Sequence, residues 1–168
     1  SDDAQDRTVR VWDAETGEEL LVLTPPTGYI RTVDISPDGT TIATASWNSA
    51  LSGVITLWDV QTGTEIGRMF GHTNVITHVR FSADGSELFS TSWDGSLRIW
   101  DVETGIELNQ LATFEDRLLS LDLSPDGQFA LVGSGNLGNN ELTPEKENSV
   151  DTSVWLIDLQ NRAMIKEL

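Results

Sequence analysis

The sequence predicts an all-β protein built as a tandem array of small antiparallel sheets, and three observations carry that expectation. Trp-Asp occurs at Trp12-Asp13, Trp58-Asp59 and Trp100-Asp101, intervals of 46 and 42 residues, and each pair leads into a Thr-Gly turn at Gly17, Gly63 or Gly105. Ser-Pro/Ala-Asp-Gly recurs at residues 36–39, 82–85 and 124–127 with the same intervals, 46 and 42. Between these markers lie short apolar or alternating runs bounded by turn formers, the pattern of strands and hairpins. Two independent markers moving together define a repeat.

The clearest copy is residues 71–105, with strand-length runs at 75–81, 87–91 and 97–100 and a fourth at 107–111. Such a sheet cannot bury both faces alone and needs neighbours of its own kind. The first unit begins part-way: Asp6 precedes Trp12 by the six residues that separate Asp94 from Trp100, so 8–12 reads as a third strand and 18–23 as a fourth. Its first two strands are expected from a longer parent chain, and self-association through open edges is expected of the segment alone. The second unit places strands at 30–35, 41–46, 54–58 and 65–70, with Pro25-Pro26 standing where the third has Gly71-His72. Asn48 replaces the turn aspartate, and four extra residues, 49–52, lengthen the next loop. The fourth unit, with strands at 118–123, 129–133, 153–157 and 163–168, is the most divergent. Counting six from Asp151 puts Ile157 at the tryptophan position, with Trp155 expected on the opposite face of its strand. The polar insertion 136–149 reads as an exposed loop.

The 10 basic and 27 acidic residues give a net charge of −17, which disfavours nucleic acid and anionic membrane surfaces and favours basic partners. A solvated acidic face is the simpler use of the same charge. There is no cysteine and hence no thiol metal site or disulfide. No apolar run is long enough to span a bilayer and the first residues do not resemble a signal peptide, so a cytoplasmic setting is the default expectation.

Candidate chemistry is sparse. His72, Ser90 and Asp94 carry the groups of a hydrolase triad, but no nucleophile elbow or oxyanion loop accompanies them, so no catalytic residue is assigned. His72 and His78 lack the further ligands of a tetrahedral metal site. The glycines sit in turns that use positive φ and form no phosphate loop, so no cofactor is expected.

A period of about 40–45 residues with a Gly-His start and a Trp-Asp end resembles the WD40 β-propeller family, over nearly the whole chain. The resemblance implies a WD40 β-propeller segment of about three and a half four-stranded blades, part of a larger ring of about seven. The units are residues 1–23, 24–70, 71–111 and 112–168. It also implies a buried tetrad of His72, Ser90, Asp94 and Trp100, with partial tetrads at Asp6 and Trp12 and at Thr44 and Trp58. In the second unit Pro26 and Asn48 fill the other two places, and in the fourth Phe114, Val132 and Ile157 replace the network with apolar groups.

By the same resemblance, partners dock on the face carrying the blade-to-blade connections. There it places Tyr29, Arg31, Val75, Thr77, Arg117 and Leu119, with Trp47 and Trp93 from the positions before the turn aspartate. That composition is that of a binding hot spot, although Trp47 and Trp93 packing against adjoining blades is the simpler reading. The function implied is a non-enzymatic scaffold or ligand-sensing module for a protein or peptide. The alternatives are a purely structural subunit or a hydrolase on a propeller scaffold.

Overall fold

The computed structural model describes residues 7–25, 28–48, 52–135 and 153–168. Asp6, Pro26, the side chain of Asn48, Asp151 and the insertion 136–149 therefore lie outside what is described.

The described residues form strands and turns with no helix. β1 (Val9–Trp12) pairs with β2 (Glu19–Leu23) in a two-stranded sheet. β3 (Tyr29–Ile35), β4 (Thr41–Asn48), β5 (Ser52–Asp59) and β6 (Glu65–Phe70) form a four-stranded meander. So do β7 (Ile76–Phe81), β8 (Glu87–Ser92), β9 (Ser96–Asp101) and β10 (Glu107–Thr113), and then β11 (Arg117–Leu123), β12 (Phe129–Gly135), β13 (Val154–Asp158) and β14 (Ala163–Glu167). Every pairing is antiparallel between chain neighbours. Ser52, expected in an inserted loop, instead opens β5 with positive φ and pairs with Asn48.

Alternation along each strand sends successive side chains to opposite faces, and in the second and third sheets both faces are covered. In the third sheet Leu88 and Trp100 face the second sheet, packing with Ala43, Ala45, Ile55, Leu57 and Met69. Phe89, Leu97 and Ile99 face the other way, onto Leu118, Leu121, Ala130, Val132 and Ile157 of the fourth. The half-sheet β1–β2 contributes Leu23, with Val9, Val11 and Leu21, against Ile42 and Trp58. Two-sided burial explains the near-continuous apolar runs of the central strands. Fully burying one such side chain is worth roughly 1.5–3 kcal/mol, so the seams between sheets dominate the favourable energy.

Trp12 is the exception. It occupies the position at which Trp58 and Trp100 are buried, yet it is 54% exposed, because no sheet covers that side of β1.

The turns are held by aspartates. Asp38, Asp84 and Asp126 each accept bonds from the serine two before (Ser36, Ser82, Ser124) and from the backbone N–H two after (Thr40, Ser86, Gln128). The aspartates of the Trp-Asp pairs do the same work in the adjacent hairpin at the same end of the sheet: Asp59 holds Thr62 and Asp101 holds Thr104, at 2.6–2.7 Å. These bonds favour the ionised form and lower the carboxyl pKa values; for Asp84 the Ser82 hydroxyl, then Ser86, bring it down to about 2. Gly95, at φ 79°, turns β8 into β9 while its carbonyl accepts the Phe114 N–H at 2.8 Å. A Cβ there would collide with the Phe114 carbonyl oxygen.

Two outcomes follow. Gly95→Ala adds that collision to backbone strain and is expected to lower stability by more than about 1 kcal/mol in a urea melt. Carboxyls whose pKa is depressed on folding give stability that is present above their unfolded value, 3.8, and lost as pH falls through the folded one. Moderate acidification meanwhile relieves the repulsion of a −17 charge. Thermal melts should therefore show a maximum near about pH 5 and a steep loss below about pH 4; a melting point flat from neutrality to pH 3 would remove the turn carboxylates from the account.

Candidate functional site

The third sheet gathers its four singled-out polar side chains into one chain of hydrogen bonds. The His72 Nδ1–H meets Asp94 Oδ2 at 2.9 Å, His72 Nε2 receives the Ser90 hydroxyl at 2.7 Å, and the Trp100 indole N–H donates to Ser90 Oγ at 2.8 Å. Ser90, Trp100 and His72 are buried. Burial alone would raise the Asp94 pKa, but the hydrogen bond from His72, the Ser96 hydroxyl and the Thr73 N–H hold it well below the usual carboxylate range.

Because Ser90 has no exposed surface and already accepts the indole N–H, no substrate reaches it. The triad geometry is a structural clasp: Asp94 lies in the β8–β9 turn, His72 before β7, Ser90 on β8 and Trp100 on β9, so one network ties all three strands. Sequence reasoning missed Ser96, which bonds Asp94 Oδ1 and approaches His72. Its signal was present: Asp-Gly-Ser/Thr recurs at Asp38, Asp84 and Asp94, and each time the residue after the glycine donates to the aspartate.

In the second sheet the Trp58 indole donates to Thr44 Oγ1 at 2.9 Å. In the fourth, Val132 and Ile157 are buried and Phe114 packs against them. Ile157 pairs with Ala130 as Trp100 pairs with Leu88, which puts it at the tryptophan position. The expectation for Trp155 was wrong. Residues two apart on a strand share a face, so Trp155 lies with Ile157; its ring stacks on Phe114 at 5.2 Å and its N–H reaches Ser134 Oγ at 3.2 Å. Phe114 thus stands at the imidazole position with an aromatic neighbour, Trp155, at the position held by Arg98 in the third blade.

At the end of the sheets that bears the inter-sheet connections, arginines and aromatics interleave. The Arg7 guanidinium lies 4.7 Å from the Tyr29 ring centroid. Arg31 of the second sheet and Arg117 of the fourth both lie over Trp93 of the third, at 6.0 and 4.7 Å. Tyr29 and Arg31 are exposed, and Trp47, Trp93, Arg117 and Leu119 are partly buried. Val75 and Thr77 correct the expectation, since both are buried: Thr77 Oγ1 donates across the seam to the Leu118 carbonyl at 3.0 Å and so joins two sheets. Trp93 combines both readings, packed on two neighbouring sheets yet partly accessible, with its indole N–H buried and without an acceptor. Arg7 carried no signal in the sequence. His78, on β7, is half-buried; burial, then Arg80 and Arg31, lower its pKa against the opposing pull of Asp122. Among the described residues no three His, Cys, Asp or Glu side chains stand together as a metal site.

The profile described as "WD domain, G-beta repeat" matches residues 17–59 and 63–101. The chain carries WD40 repeats. The solved structure of Kuenenia stuttgartiensis hydrazine synthase superposes with a TM-score of 0.80 at 17% identity, over 96% of this chain and 42% of that one. At that identity the likeness establishes the fold alone. The chain spans less than half of the neighbour's length, and no curated protein sequence matches it. The four-stranded antiparallel sheets are WD40 propeller blades in an array that does not close on itself. WD40 repeats generally mediate protein–protein interaction and are generally not enzymes. No helix among the described residues is long and apolar enough to cross a membrane.

Removing the imidazole leaves Asp94 and Ser90 each short of a partner inside the seam. His72→Ala should cost roughly 1–3 kcal/mol in a denaturant melt, and Phe114→His, which finds Val132 where the third blade has the Ser90 hydroxyl, should not stabilise. A neutral His72→Ala would show that the clasp contributes nothing to the fold.

Proposed function

We propose that the chain is a non-enzymatic scaffold that binds a protein or peptide through the face carrying Tyr29, Arg31, Trp47, Trp93, Arg117 and Leu119. One observation carries this reading: arginines and aromatic rings from four successive blades meet there. Elsewhere Arg10, Arg68, Arg98 and Arg162 are paired with glutamates. Aromatic rings with arginine are the composition of binding hot spots, and rigid blades present them with little ordering cost to the complex. The acidity of the rest of the surface favours a partner of net positive charge, and the setting we assign is the cytoplasm. Buried hydroxyl and imidazole in the clasp speak against hydrolase chemistry on this scaffold.

The exposed apolar side chains at the two ends of the array favour a second, compatible reading, in which the blades are also a structural part of a larger assembly. Trp12 at one end, and Leu131 and Val154 at the other, sit on surfaces that a further blade would cover.

Peptide display against the intact protein, followed by NMR mapping of the selected binders, tests the first reading. Binders should perturb Tyr29 and Trp93, and Tyr29→Ala should weaken them about tenfold without altering the melting point, given the weight of single hot-spot aromatics. Binders that map to the opposite end of the blades would overturn it. For the second reading, light scattering should show the 168-residue chain self-associating; a stable, cooperatively melting monomer would dismiss it.

A further inference from the structure

Arg31, Trp93 and Arg117 have a property that the overall charge hides. The chain carries 27 acidic residues against 10 basic ones, so an arginine has carboxylates in plenty to choose from. Yet two guanidinium groups, from the blades on either side, converge on one indole. The Arg31 charge is felt nearby, since after burial Arg80 and then Arg31 oppose protonation of His78. The Arg31 guanidinium, 6.0 Å from the indole centroid, keeps N–H donors toward solvent, and a guanidinium grips a carboxylate with two parallel hydrogen bonds. The attraction between ring and cation restrains the side chain in advance, so less entropy is lost when the anion arrives. Arg31 is exposed and Trp93 partly so, which leaves the cluster open to solvent. Arg117 has a further interaction of its own and serves here as a second positive charge and as a wall for the indole.

We propose that the Arg31–Trp93–Arg117 cluster is the receptor for a carboxylate side chain, Asp or Glu, on the bound peptide. This rests on the reading of that face as the docking surface and names the anchor within it. It implies a two-part ligand: an acidic anchor residue seated on the arginines, within a segment whose remaining charge is positive and complements the acidic surroundings. An acidic anchor in an acidic segment would be repelled by the rest of the surface within a screening length of about 8 Å.

The test uses capped pentapeptides Gly-Ser-Xaa-Ser-Gly, with Glu, Gln, Lys or phosphoserine at the centre, titrated into the intact protein at about 0.15 M salt, where distant charges are screened. The readout is the indole N–H resonance of Trp93, assigned by its disappearance in Trp93→Phe. The Glu peptide should shift it saturably, the Gln and Lys peptides should not, and Arg31→Gln should weaken the Glu peptide about tenfold while the remaining spectrum stays folded. Equal response to Gln and Glu, or an Arg31→Gln variant that binds as before, would overturn the carboxylate site. Binding of phosphoserine with silence from Glu would overturn it too, in favour of phosphate. If all four are silent while display-selected binders still map to Tyr29 and Trp93, the anchor falls and the docking face stands; if those binders map elsewhere, both fall.

Discussion

A small antiparallel sheet with two apolar faces has no stable solution by itself, and everything else in this chain follows from the need to cover both. The alternation of strand side chains assigns Leu88 and Trp100 to one seam and Phe89, Leu97 and Ile99 to the other. A seam with alanine on one side, as at Ala43 and Ala45, leaves room for large groups such as Trp100 and Phe81 on the other. Polar connections cross the same boundary where strands end: Asp34 accepts the Phe81 N–H at 2.8 Å, and Thr77 reaches the Leu118 carbonyl. Backbone groups that the ladders do not use are thereby satisfied.

Placing polar groups inside such a seam is costly unless each finds a partner, and the three complete blades solve the problem differently. One keeps an entire chain from carboxylate to indole, one keeps an indole–hydroxyl bond, and one substitutes Phe114, Val132 and Ile157. Whole-group exchange is close to neutral, whereas deleting one member strands the rest. That asymmetry favours losing partners together: where the second blade has Pro26 and Asn48 in place of the imidazole and carboxylate, the indole–hydroxyl bond that remains is still satisfied. The same four side chains that would read as a hydrolase in an open cleft are, when enclosed, a fastening for three strands.

Much of this was legible in the residues. Strand number, order and approximate ends followed from turn signals, because Asp-Gly and Thr-Gly turns require positive φ and fix where hairpins close. The clasp was legible only through the resemblance to WD40 blades, since no other unit carries all four members. What failed was directional. Trp155 was given the wrong face through a parity error, and Val75 and Thr77 were placed on the surface although Thr77 is drawn into the seam by its bond to the Leu118 carbonyl, a partner 41 residues away. Ser52 was read as loop because a strand residue with positive φ has no one-dimensional signature. The pairing of Arg31 and Arg117 on Trp93 joins residues more than twenty positions from Trp93 on either side, and only the packing of three blades brings them together.

The division of labour between bond types has an evolutionary corollary. Every member of the clasp comes from a single blade, while the contacts that cross a seam are mostly apolar and tolerant of shape-conserving exchange. A duplication that copies one repeat therefore carries its polar wiring intact and asks of its new neighbour only a greasy face of suitable volume. Daughter repeats are free to drift apart in their interiors without renegotiating the boundary, which is the state in which these three blades are found.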